Sequence, residues 1–193
     1  PVAPEVADAM AQALRTTFGN PSSVHTDGQQ AKTALDEARS AVARLLGAEP
    51  TEIVFTSGGS EADNLAIRGA AEALAGSRRR HLVASAIEHE AVLQTLKALA
   101  KQGWTTTLVG VDASGVVTPE RVAEAMTDHT ALVSVMHANN EIGTIQPVAD
   151  VARLAHARGA LFHTDAVQTV GKLPVDVRAL GVDLLSLSAH KLN

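Results

Sequence analysis

Two rhythms of apolar residues alternate along the chain. Between residues 28 and 46, Ala31, Leu35, Ala38, Val42 and Leu45 recur at intervals of three and four, which places them on one face of a helix. Ala- and Leu-rich stretches of the same character predict helices over about 5–17, 60–75, 89–102, 119–127 and 147–158. Between them lie short apolar, β-branched runs at 52–56, 81–85, 105–109, 131–136, 160–164 and 183–188, which predict strands. Gly47 and Gly159 stand where C-caps belong, and Thr118-Pro119-Glu120 has the form of an N-cap followed by proline. The repeated strand–helix order predicts an α/β fold. Its sheet would be mostly parallel with helices on both faces, three layers in all, forming one large domain or part of one.

The core implied by this pattern is aliphatic. Of 193 residues, 46% are hydrophobic but only 2% aromatic, and tyrosine is absent. Lys+Arg total 16 against 21 Asp+Glu, a formal charge of −5. That is the wrong sign for a nucleic-acid groove, and few rings are present for bases to stack on. The one basic run, Arg78-Arg79-Arg80, falls between a predicted helix and a predicted strand and reads as a solvated turn. No run of about 18 apolar residues suggests a membrane-spanning helix. Without cysteine there is no disulfide or thiolate metal site in this stretch. No signal peptide is visible, so the cytoplasm is the default expectation.

In an open α/β sheet, ligands bind beyond the carboxyl ends of the strands. The first predicted strand is followed by Thr56-Ser57-Gly58-Gly59-Ser60-Glu61-Ala62-Asp63-Asn64. Its glycines permit a tight turn, and Ser60 suits the start of the next helix. The segment is either an anion cradle of free amides or an ordinary capped turn. After the second strand, His89 falls in the first turn of a helix, as a cap, a surface residue or a ligand contact. After the fourth come His137, Asn139, Asn140, Glu141 and Gly143, which suit polar recognition or an Asn/Gly turn. The fifth strand carries His163 and Asp165 on one face, with Gln168 one turn on. Asp165 is a helix cap, the holder of a cationic ring nitrogen or, with His163, half of a metal site. The sixth strand leads into Ser188-Ala189-His190-Lys191. A lysine there is a snorkelling surface residue or a reactive amine.

Together these groups suit one ligand: an anionic phosphate, a protonatable ring nitrogen, a phenolic oxygen, and an aldehyde that needs an amine. Pyridoxal 5′-phosphate has all four. A carboxylate keeps its ring nitrogen protonated, so that the ring acts as an electron sink. No metal site is expected. The segments FGNPSSVH, TSGGSEADNLAI, EHEAVL, MHANNEIGTIQP, HTDAVQTVGKLPVD and SAHK resemble the NifS-like cysteine desulfurases. These belong to the class-V aminotransferase superfamily of fold-type-I pyridoxal phosphate enzymes, and the resemblance runs nearly end to end.

The resemblance implies a role for each position. Lys191 matches the Schiff-base lysine, which later moves the Cα proton. His89 matches the histidine stacked on the ring, with a part in acid–base steps. Asp165 matches the partner of the pyridine nitrogen, and Gln168 the donor to the ring oxygen. Ser60, Ser188 and His190 match phosphate ligands, with Gly59 lending backbone. Asn140 matches the amide near the ring oxygen and the substrate carboxylate. The implied activity converts L-cysteine to L-alanine and passes sulfur to an enzyme cysteine. The implied partners are a second subunit in a homodimer and a sulfur-acceptor or iron–sulfur scaffold protein. Another class-V reaction, such as transamination or selenocysteine lysis, and a non-catalytic scaffold are the alternatives. Family members have a further segment before the equivalent of Pro1 and a long continuation after the lysine. Residues 1–193 are therefore expected to be an incomplete large domain within a longer enzyme.

Overall fold

Five parallel strands form one sheet in the order β2-β1-β3-β4-β5. They are β1 (His81–Ser85), β2 (Thr105–Val109), β3 (Thr130–Ser134), β4 (Leu161–Asp165) and β5 (Leu184–Ser186). This computed structural model describes residues 1–192. The chain divides into two compact units, residues 1–55 with Leu192, and residues 56–191. The second unit holds the whole sheet.

Helices cover both faces of the sheet in the second unit. α3 (Gly59–Ala73) and α4 (Glu90–Ala100) lie on one face, α5 (Pro119–Ala125) and α6 (Val148–Ala157) on the other. The strands serve both by alternation: Leu82, Ala84 and Leu132 pack with Ile67, Val92 and Leu96. Val83, Val133 and Phe162 pack with Val122, Val148 and Val151. Burying each such aliphatic side chain is worth about 1.5–3 kcal/mol, which is what holds an almost ring-free core together. A one-turn helix, α7 (Val177–Leu180), precedes β5 and is capped by Asp176, whose carboxylate accepts from the amides of Arg178 and Ala179. The predicted Thr118 cap accepts from the Arg121 amide.

The first unit contains α1 (Pro4–Thr16) and α2 (Thr26–Leu46). α2 ends at Gly47 in the left-handed conformation, at φ 66°, where glycine carries no Cβ penalty. The expected strand at 52–56 does not form. Glu49 and Glu52 cap a 3-10 turn over Pro50–Glu52, and the chain then runs extended with no pairing strand among the described residues. Val54 and Phe55 are largely exposed. An apolar run becomes a strand only where a neighbouring strand completes its hydrogen bonds.

The basic run is not simply solvated. Arg79 donates from one guanidinium nitrogen to the carbonyls of Thr130, Arg158 and Gly159. It ties the segments entering β3 and β4. Arg80 donates to the Ala75 carbonyl, which ends the turn after α3.

Candidate functional site

The register of the sheet brings its carboxyl ends level. Ala84 pairs with Ser134, Ser134 with His163, and Asp165 with Ser186. The segments that follow these strands enclose a cavity of about 390 Å³. Gly59, Ser60, His89, Asn140, Asp165, Gln168, Ser188, His190 and Lys191 all line it. Five separate segments of the chain thus converge on one space.

One side of the site is built for an anion. Gly58 enters α3 with extended backbone, so that Gly59 and Ser60 form the first turn. Amides in a first helical turn lack intrahelical acceptors and bear the positive end of the helix dipole. A Cβ on Gly59 would stand 3.2 Å from Val167 Cγ2 and 3.4 Å from Ser188 Cβ. This helix start therefore packs directly against the turns that follow β4 and β5. Ser188 Oγ lies 2.7 Å from His190 Nδ1. A 3-10 turn, Ala189–Lys191, is closed by the Lys191 amide on the Ser188 carbonyl. It brings the serine, the histidine and the half-buried lysine to the same cavity.

Asp165 ends β4 with Oδ1 accepting the Val167 amide at 2.9 Å. It caps a turn there while also facing the cavity. Burial pushes its carboxyl upward, opposed by the Val167 amide and by the charge of His89. His89 is the N-cap of α4: its Nδ1 accepts the Ala91 amide at 3.1 Å. In the neutral ring this leaves the proton on Nε2. Asn139 shapes the following turn by accepting from the amides of Glu141 and Ile142 and donating to the Ile87 carbonyl. Asn140 is thereby left to line the cavity.

Sequence reasoning assigned no role to Asp63 or Glu88. Asp63 lines the cavity, almost wholly buried, and burial together with Asp165 pushes its carboxyl up to about 7. Its signal is spacing: it stands three residues after Ser60, on the same side of α3. Glu88 accepts the Met136 amide at 2.7 Å and the Ser85 hydroxyl through Oε1, and burial pushes it up to about 8. His163, fully buried, lies between Ser134 Oγ at 2.9 Å and Ser186 Oγ at 3.0 Å. Burial lowers it to about 4. At 3.7 Å from Asp63 Oδ1 it is therefore a neutral neighbour and not an ion-pair partner. Among the described residues, no group of three histidine or carboxylate side chains could hold a metal ion.

The class-V aminotransferase pattern matches residues 1–193. This chain belongs to the class-V aminotransferase family. It is 49% identical over 191 residues to the cysteine desulfurase IscS of Dictyoglomus turgidum, covering 99% of this chain and 48% of that one. It is 51% identical over 195 residues to the IscS of Aeromonas hydrophila, covering 100% of this chain and 48% of that protein. The solved structure of SspA in complex with cysteine superposes with a TM-score of 0.94 at 42% identity, covering 99% of this chain and 55% of that one. The chain thus spans about half the length of the curated relatives it matches. Its fold is that of the fold-type-I family members.

Proposed function

We propose that this chain supplies the pyridoxal 5′-phosphate site of a cysteine desulfurase. The carrying observation is the cavity itself, which gathers nine residues of complementary chemistry from five segments. They suit the cofactor group by group. Ser60, Ser188, His190 and the Gly59 backbone would hold its phosphate, and Asp165 its ring nitrogen. Gln168 and Asn140 would hold its ring oxygen, His89 its ring face, and Lys191 its aldehyde carbon. When bound, the cofactor supplies a sink for the electrons released at the substrate Cα.

The protein's own groups do the rest. A cationic ring nitrogen beside Asp165 would offset the burial that raises its carboxyl and favour the anion. Lys191 holds the proton taken from Cα of L-cysteine. His89, with Nδ1 occupied by the Ala91 amide, has Nε2 free to exchange a proton. The net change breaks the cysteine Cβ–S bond and forms an S–S bond on an enzyme cysteine outside this stretch. A proton ends on Cβ, giving L-alanine and a persulfide. The similarity to the two IscS proteins supports this reaction over transamination. We place the whole protein in the cytoplasm as a homodimer that passes sulfur to an acceptor or iron–sulfur scaffold protein. Family resemblance supports that placement. No helix among the described residues is long and apolar enough to cross a membrane.

The test uses the full-length protein. Added pyridoxal 5′-phosphate should give a visible absorbance band that borohydride removes, fixing the adduct on Lys191 by peptide mapping. L-cysteine with a reductant should yield equimolar alanine and sulfide. An adduct on another lysine, or pyruvate in place of alanine, would sink the assignment.

A further inference from the structure

Asp63 sits beneath the cavity in an arrangement that the roles above leave unused. It is 1% exposed, and its Oδ1 has no hydrogen-bond partner. Behind it runs a line of three groups from three adjacent strands. The Ser186 hydroxyl lies near the Asp63 carboxyl and 3.0 Å from His163 Nε2. His163 Nδ1 lies 2.9 Å from Ser134 Oγ. One polarity satisfies the line: Ser134 donates to Nδ1 and Nε2–H donates to Ser186, which leaves the Ser186 proton free to turn to Asp63. Asp63 stands at its end and is the only member that lines the cavity.

We propose that Asp63 is a positioning residue for the cofactor ring, a second carboxyl beside Asp165 whose ionisation is coupled to occupancy by a cationic ring. This rests on the pyridoxal phosphate reading of the cavity. The groups around Asp63 are Asp165 and the neutral His163 from β4, Ser186 from β5, and Glu88 from the segment between β1 and α4, while His89 lines the same cavity. Without a cation opposite Asp165, burial and Asp165 favour the proton on Asp63, which is pushed up to about 7. A positive charge opposite Asp165 reverses that balance. Asp63 then gives up its proton, and the Ser186 hydroxyl holds the resulting anion. A carboxyl whose proton is lost on binding strengthens that binding as pH rises from its bound value to its free one.

The test compares pyridoxal 5′-phosphate affinity of the full-length apo-protein with that of Asp63→Asn at pH 5.5 and 8.5. The ligand's own ionisations cancel in the ratio. At pH 5.5 free Asp63 keeps its proton, so the ratio of dissociation constants should be smaller than at high pH, falling to one only below the bound value. At pH 8.5 the variant should bind more weakly by about tenfold for each pKa unit by which the ring displaces Asp63. A purely structural role gives the same ratio at both pH values, and that result overturns the proposal. Ser186→Ala provides a second measurement should Asp63→Asn not fold. Loss of its hydroxyl removes a bond that favours the anion, so the pH at which affinity rises should move upward. An unmoved transition overturns the proposal. Failure of the wild type to bind overturns the cofactor reading and this one with it, whereas tight binding with a flat ratio overturns this one alone.

Discussion

Replacing Glu88 with glutamine should stabilise the protein, and by more as the pH rises. Glu88 is wholly enclosed: Oε1 takes the Met136 amide and the Ser85 hydroxyl, and Oε2 has no partner. Burial pushes the carboxyl from an ordinary 4.5 up to about 8. Between those values the folded state keeps a proton that the unfolded state releases. The raised carboxyl therefore costs nothing below about pH 4.5, and costs about 1.4 kcal/mol for each further pH unit up to about 8. Glutamine has nearly the same shape, accepts the same two hydrogen bonds and never ionises. Its amide N–H₂ meets the same unpartnered position as the acid's O–H, so that loss is common to both. The gain of Glu88→Gln over wild type should thus grow by about 2–3 kcal/mol between pH 5.5 and 7.5. Urea denaturation of the full-length apo-protein, followed by circular dichroism at the two pH values, measures this directly. A stability difference that does not change with pH would refute the reasoning and show Glu88 to be ionised in the folded state.

Three further outcomes are expected. Asp165→Asn should lower cysteine turnover by about a hundredfold or more while cofactor content, measured by absorbance, falls far less, because one buried charge is lost and the anion-binding groups remain. His89→Asn should keep α4 capped and leave thermal stability near wild type while slowing turnover. His89→Ala should lose both, with about 1 kcal/mol of stability going with the cap. Arg79→Ala should destabilise the protein by about 2 kcal/mol in denaturation, since it strands three carbonyls, without changing cofactor affinity.

Much of this protein is legible in its sequence because its signals are local. Helical periodicity, Gly47 and Thr118 mark element boundaries within a residue or two of where they fall. Strand runs at 81–85 and 105–109 match β1 and β2: β1 is buried throughout, as suits a strand packed on both faces, and β2 is a β-branched edge strand. The nine cavity residues were findable for a topological reason. A parallel sheet gathers its strand ends on one edge, so polar residues just after apolar runs must meet there.

What depended on distant neighbours was not legible. Ile53–Phe55 has the composition of a strand, yet nothing among the described residues pairs with it, and strand formation requires a partner. Arg79 looks solvent-bound until the segments entering β3 and β4, 51 and 80 residues away, present their carbonyls. Asp63 and Glu88 look like ordinary acids beside a helix start. Only the packing of α3 over β4 and β5, and the closing of Glu88 onto Ser85 and Met136, removes water from them. Desolvation is a property of the assembled surroundings and not of the residue, so the protonation of these acids is decided by the tertiary structure alone.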